Sequence, residues 1–175
     1  MVTRYLYDTE FIERSENGHM WLDLVSIGIV SEDGRREYYA VSTEFDPAFA
    51  VTWVRRNVLD KLPPPSDPAW RSRSRIRSDV EEFLTADGPP ELWAWYGAYD
   101  HVVLCQLFGT MTALPGPLPR FTRDLRQLWE EVGSPELPKP PRDAHDALAD
   151  ARHNRARWLV LAPLRSALAG PPDQA

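Results

Sequence analysis

The sequence predicts a single α/β domain with a central mixed sheet flanked by helices. Up to Phe45, short aromatic and β-branched runs are separated by tight-turn signals, the pattern of paired strands. From Asp46 onward, apolar residues recur at helical spacing, interrupted by one short apolar run from Leu92 to Trp95. No repeat or linker divides the 175 residues, a length that suits one core.

Tyr5 to Phe11 reads as the start of the first strand, and polar Glu13 to His19, with Asn17-Gly18, as the turn after it. Leu22 to Val30 is a second strand ending at Ser31-Glu32-Asp33-Gly34, where Asp-Gly marks a tight turn. Glu37 to Ser42 returns as a third. Asp46-Pro47 is a helix start, an N-cap followed by proline. Phe49, Trp53, Val54 and Val58 carry that helix to Lys61, and Pro63-Pro64-Pro65 ends it. A second helix covers Ser72 to Thr85, burying Ile76, Val80, Phe83 and Leu84. After Gly88-Pro89-Pro90, Leu92 to Trp95 is a buried strand and Asp100 to Phe108 the helix following it. Thr110 to Pro119 is proline-rich loop. Leu125, Leu128, Trp129 and Val132 mark a helix closed by Gly133, and Pro135 to Pro141 is a polyproline-like connector. Ala144 to Leu161 is the longest helix. The expected division is a domain over residues 1–162 and a partly disordered C-terminal extension over 163–175.

Composition narrows the classes. At 43% hydrophobic and 11% aromatic the chain is globular, and no run approaches the roughly 18 apolar residues of a membrane span. The N-terminus lacks a signal peptide's apolar core. A single cysteine, Cys105, sits among Val102, Val103, Leu104 and Leu107, which fits a small core residue in a reducing cytoplasm. A net charge of −6 argues against a general nucleic-acid coating protein. It leaves room for a nuclease, because clustered acidic residues that hold cations supply much of such a charge. The arginines are unevenly placed, with Arg71, Arg73, Arg75 and Arg77 alternating in one run and Arg120, Arg123 and Arg126 in another.

Four carboxylates and one histidine carry the chemistry. Asp8 and Glu10 are two apart, so on a strand they share a face while Thr9 points away. Two adjacent carboxylates repel unless a cation lies between them, and oxygen donors suit Mg²⁺ or Mn²⁺. Taken alone, the pair reads more readily as a solvated acidic patch on an edge strand. Asp100 follows a buried strand by a few residues, where an ordinary N-cap is the plain alternative. His145 and Asp150 bracket the start of the last helix, about 1.4 turns apart, so they do not stack on one helical face. Asp150 lies among Ala147, Leu148, Ala149 and Ala151, where an unpaired carboxylate is costly. An imidazole there can accept a proton from water. Together the five residues fit one site holding two divalent cations for in-line attack on a phosphodiester.

This order of motifs resembles the DEDD exonucleases, in the subgroup with a histidine base and an RNase H-like fold. The likeness extends to Tyr7-Asp8-Thr9-Glu10-Phe11-Ile12, to the stretch Tyr38 to Phe45, to Glu91-Leu92-Trp93-Ala94-Trp95 and to Arg120-Phe121-Thr122-Arg123. These strings look like the actinobacterial RNase AS branch, polyadenylate-specific 3′–5′ exoribonucleases, from about residue 4 to about 160. The resemblance implies two Mg²⁺ ions, a homodimer, 5′-mononucleotide products and adenylate-rich single-stranded RNA. It also implies that Asp8, Glu10, Asp100 and Asp150 are metal ligands and that His145 is the general base. Many DEDD relatives have Asn four residues before the third carboxylate, where this chain has Tyr96.

For the RNA itself, Phe11 and Tyr99 are candidate stacking platforms, with Thr9 beside the acid pair and Arg120 and Arg123 as phosphate contacts. Each of the two aromatics reads equally as core. His19, His101 and His153 read as structural. Three other readings compete: the same chemistry on DNA ends or short oligonucleotides, an RNA-binding module on an inactivated nuclease scaffold, and an HD-type phosphohydrolase built on His145-Asp146. The last needs a nearly all-helical fold and further histidine ligands, whereas this chain opens with strands.

Overall fold

The computed structural model describes residues 2–142 and 144–168. Six strands form one sheet in the order β4-β3-β2-β1-β5-β6. They are β1 Thr3–Glu16, β2 His19–Ser31, β3 Glu37–Ser42, β4 Trp70–Arg71, β5 Pro90–Ala94 and β6 Arg123–Asp124. The first three pair antiparallel as a meander, while β5 joins β1, β6 joins β5 and β4 joins β3 in parallel. The sheet is therefore mixed, as expected. The first turn is tighter than the polar stretch Glu13 to His19 indicates. Only Asn17 and Gly18 turn, with φ of 51° and 77°, the mirror-image geometry that matches strand twist.

The helices are α1 Thr52–Asn57, α2 Arg73–Thr85, α3 Ala98–Gln106, α4 Leu125–Glu131 and α5 Ala147–Leu168. Strand alternation sorts them onto two faces. Tyr5 and Tyr7 point to one face with Ile27, Ile29 and Leu92, and there meet Ile76, Val80 and Leu84 of α2 and Val103 and Leu104 of α3. Leu6 and Trp93 point to the other face and meet Leu125 and Leu128 of α4 and Trp158 and Leu161 of α5. A bulge between Glu10 and Phe11 shifts the β1–β2 register by one residue. Beyond it Ile12 and Val25 pack with Ala50 and Val58 in a third, smaller cluster.

Two helix expectations need correction. The helix from Asp46 to Lys61 is a 3-10 turn, then α1, then a second 3-10 turn. Asp46 does cap its start, accepting from Ala48 N at 2.8 Å, but Ala50 and Val51 are extended and break the run. The last helix begins at Ala147, because the Asp146 carboxylate accepts from Ala149 N at 2.8 Å. It continues through Pro163 to Leu168, past the expected domain boundary at 162, and residues 169–175 lie outside the described ones. No described helix is long and apolar enough to cross a membrane.

One contact of the fold positions the site. Gly28 pairs with Asp8 across the β1–β2 ladder, and the first turn of α5 rests directly on it. A Cβ at this position would meet the Ala147 carbonyl and lie 2.5 Å from Leu148 Cα. Those atoms are backbone and cannot swing aside. Gly28→Ala is expected to cost about 1–3 kcal/mol of stability, lowering the melting temperature by roughly 2–10 °C. It should also displace the turn that carries His145 and Asp150. Thermal denaturation and nuclease assays check this, and an unchanged variant would contradict it.

Candidate active site

All five chemistry-bearing residues line a single cavity of about 470 Å³ over the middle of β1 and the C-terminal end of β5. Asp8 and Glu10 lie on the α5 face of β1, in register with Leu6. Thr9 points the other way, toward α3. Its backbone N–H and hydroxyl both donate to Asp100 Oδ1, at 2.8 and 2.7 Å. Asp100 sits in the first turn of α3, which Gly97 opens. Gly97 N donates to Asp124 Oδ2 at 3.0 Å, and the same Asp124 caps α4 through Arg126 N at 2.7 Å. Asp100 is thus held from β1 and from the start of α4.

The other wall is the turn before α5. The Asp150 carboxylate accepts from His145 N at 2.6 Å, so the two residues are tied through the backbone of one and the side chain of the other. The His145 ring packs edge-on against Trp53, 4.7 Å between centroids at 78°. Lys61 Nζ donates to the Ala144 carbonyl and pins the turn from the α1 side. His145 has φ of 69° and Tyr96, across the cavity, φ of 57°. Left-handed backbone at non-glycine residues costs on the order of 1–3 kcal/mol. Two such residues facing one cavity mark a place where geometry outranks stability.

Electrostatics points the same way. Burial, followed by the charges of Asp100, Glu10 and Asp150, holds Asp8 well above the usual carboxylate range. Burial and the charge of Asp150 push Glu10 up to about 8. Burial raises Asp100 to about 6, against the pull of the Thr9 bonds. Asp150 is raised by burial, partly offset by the His145 N–H. Four carboxylates that resist ionising in one cavity form a site short of positive charge. Glu10, His145 and Asp150 each offer a ligand atom, and these atoms lie within 4.8 Å of one another. An oxygen-rich set with one imidazole fits a hard divalent cation.

Comparison with known proteins shows the family. Residues 3–162 match the family described as the 3′–5′ exoribonuclease Rv2179c-like domain. The chain belongs to this family. The 3′–5′ exoribonuclease Rv2179c of Mycobacterium tuberculosis (strain H37Rv) is 63% identical over 160 residues, covering 90% of this chain and 92% of that protein. The same figures hold for the exoribonuclease MT2234.1 of strain CDC 1551. Among solved structures, a full-length 3′-exonuclease superposes with a TM-score of 0.51 at 12% identity, covering 96% of this chain and 82% of that one. A 3′-exonuclease described in 3′-end specific recognition of a histone mRNA stem-loop gives 0.52 at 12% identity. The present chain covers 64% of that protein's length. These two share the fold, which is of the exonuclease, RNase H-like class.

Within this Rv2179c-like domain, the expected substrate contacts divide. Phe11 and Tyr99 stand together in the cavity wall as a near-parallel pair, 6.0 Å between centroids at 14°. Thr9 spends its hydroxyl on Asp100, because strand alternation turns it toward α3. Arg120 and Arg123 do not line the cavity. Arg123, on edge strand β6, pairs with Glu91 at 3.0 Å, and Arg120 donates to the Met111 carbonyl. In the other arginine run, Arg71 and Arg75 both pair with Asp79.

Several cavity residues were not anticipated. His153, expected to be structural, does line the cavity, as do Asn154 and Arg157. Asn154 and Arg157 follow Asp150 by four and seven residues, so helical spacing alone puts them on its face. Trp53 has no such local signal, since a separate segment brings it to His145. Asp143, next to the histidine turn, lies outside the described residues.

Proposed function

We propose that this chain is a metal-dependent 3′–5′ exoribonuclease of the histidine-base DEDD type. On this reading it releases 5′-mononucleotides from single-stranded RNA 3′ ends. The observation that carries it is the convergence of Asp8, Glu10, Asp100, His145 and Asp150 on one cavity from three separate stretches of chain. The four carboxylates would hold two divalent cations, with Mg²⁺ the expected ion and Mn²⁺ an acceptable one. Such cations supply charge neutralisation at the phosphate and acidify a nearby water. His145 takes the proton from that water at an imidazole nitrogen as its oxygen attacks phosphorus. The bond from phosphorus to the preceding O3′ breaks, and that oxygen is protonated from solvent. Phe11 and Tyr99 receive the terminal base by stacking. Thr9 holds Asp100 in its ligating orientation.

The finer parts of the proposal rest on the sequence resemblance to the RNase AS branch. They are a preference for adenylate-rich RNA, a homodimer, and residues 1–162 as the catalytic unit. The lone cysteine supports work in the reducing cytoplasm. One observation favours a variant of the mechanism: His145 is close enough to Glu10 and Asp150 to serve as a ligand instead of a base. The overall proposal is tested with end-labelled homopolymer RNAs, a DNA of equal length, and Mg²⁺ or EDTA. Stepwise shortening from the 3′ end of RNA, fastest on oligoadenylate and stopped by EDTA, is the expected outcome. Binding without turnover would favour an RNA-binding module, and equal cleavage of DNA would broaden the substrate.

A further inference from the structure

Among the described residues, Arg157 is the one arginine or lysine that lines the acidic cavity. It sits on α5 about two turns beyond Asp150 and on the same face. Its guanidinium lies 4.1 Å from the centroid of the Trp95 ring. Its Nη1 donates to Asn154 Oδ1 at 2.8 Å, and Asn154 is itself fixed by Nδ2 donating to the Tyr7 carbonyl at 3.0 Å. Asp8 and Asp150 act on Arg157 through their charge, yet it forms no ion pair with any described carboxylate. Several other arginines of this chain are used otherwise: Arg4, Arg71, Arg75, Arg123, Arg126 and Arg152 are each paired with a carboxylate. A half-buried guanidinium carries five donors in a rigid fork. Here one is engaged, the ring beneath fixes the plane, and the rest are left for an oxyanion.

The position says which oxyanion. The histidine turn stands over β2, where Ala147 rests on Gly28, and Arg157 stands over the end of β5 at Trp95. β2 and β5 flank β1 on opposite sides, so two strand spacings, roughly 10 Å, separate the two places. Arg157 therefore stands on the β5 side of the cavity, away from the histidine turn that deprotonates the attacking water. We propose that Arg157 binds a second, non-scissile phosphodiester of the RNA strand, with Trp95 and Asn154 holding its guanidinium in place. This rests on the reading of the cavity as an exoribonuclease site. The fork geometry matches two non-bridging phosphate oxygens, and the contact would fix how far the strand is drawn in before each cut.

The test uses the full chain with Mg²⁺ and a set of short oligoadenylates, each bearing one uncharged methylphosphonate linkage at a different position from the 3′ end. Initial release of the terminal nucleotide is measured. In the wild type, neutralising one particular non-scissile linkage is expected to raise KM about tenfold to a hundredfold. Arg157→Met should raise KM on unmodified RNA by a similar factor, leave kcat within about threefold, and become indifferent to that linkage. Arg157→Lys should recover part of the KM, and it carries the comparison if the methionine variant does not fold. Undiminished linkage sensitivity in the variants would overturn the inference. So would a changed Mn²⁺ affinity with an unchanged linkage profile, which would make Arg157 only a counter-ion for the carboxylates. A wild type that cuts every oligonucleotide with one flat profile also overturns it while leaving the exoribonuclease reading intact. A wild type that cuts none refutes that reading and this inference together.

Discussion

Asp150→Asn is expected to cut RNA hydrolysis by on the order of 10³-fold or more, while making the metal-free protein at pH 8 harder to melt. The two effects have one cause. Asp150 is half-buried and its charge acts on Asp8 and Glu10 in the cavity, so it opposes folding when no cation is present. An asparagine keeps the shape and can still accept from His145 N, but it removes the charge that a cation needs. His145→Ala should be about as inactive, at roughly 10²–10⁴-fold, yet bind Mn²⁺ as the wild type does if histidine is the base. Calorimetric Mn²⁺ titration of both variants separates these outcomes. Loss of Mn²⁺ binding in His145→Ala would move the histidine from base to ligand, and full activity in Asp150→Asn would remove the site altogether.

The second large effect is on stability against pH. In the metal-free fold Glu10 titrates at about 8 and Asp100 at about 6, and Asp8 and Asp150 are also raised. In the unfolded chain the same carboxyls release their protons near pH 4. Between about pH 4 and pH 8 the native state therefore binds more protons than the unfolded state, and its stability falls as pH rises. The melting temperature without divalent cations is expected to drop on the order of 10 °C between pH 5 and pH 8. Carboxylates outside the cavity that are held low, such as Glu37 and Glu91, act in the opposite sense but only at more acidic pH. Excess Mg²⁺ binds the ionised native cluster and should restore most of the loss at pH 8 and little at pH 5. Thermal melts across this range with Mg²⁺ or EDTA check the sign. A flat profile, or one that rises toward pH 8 without metal, would contradict it.

Much of the site was legible because its residues obey local periodicities. Asp8 and Glu10 follow the two-residue repeat of a strand, and α5 carries Asp150, Asn154 and Arg157 along one face. Only the first of those three drew notice in the sequence, since an arginine on a helix ordinarily reads as a solvated residue. Long elements were clear for the same reason: β1, β2, α2 and α5 each hold enough apolar repeats to declare themselves. The two-residue strands β4 and β6 show no repeat at all and exist only through their partners β3 and β5. The long helix expected after Asp46 failed where Ala50 and Val51 turn extended, a break that apolar spacing does not register. Trp53 and Lys61 come to the histidine turn from that same broken region. Contacts of this kind depend on tertiary packing, so a reading by segments does not reach them. The bond from Thr9 to Asp100 is an intermediate case, because strand alternation gives its direction but not its partner.

On the proposed mechanism, Asp8, Glu10, Asp100 and Asp150 enclose two cations with His145 beside them. Crystals grown with Mn²⁺ and measured at the manganese absorption edge test it most directly. Two anomalous peaks are expected inside the cavity, roughly 3.5–4 Å apart, contacted by the four carboxylates and not by the imidazole. An empty cavity, or a single peak held by Glu10, His145 and Asp150, would contradict the account.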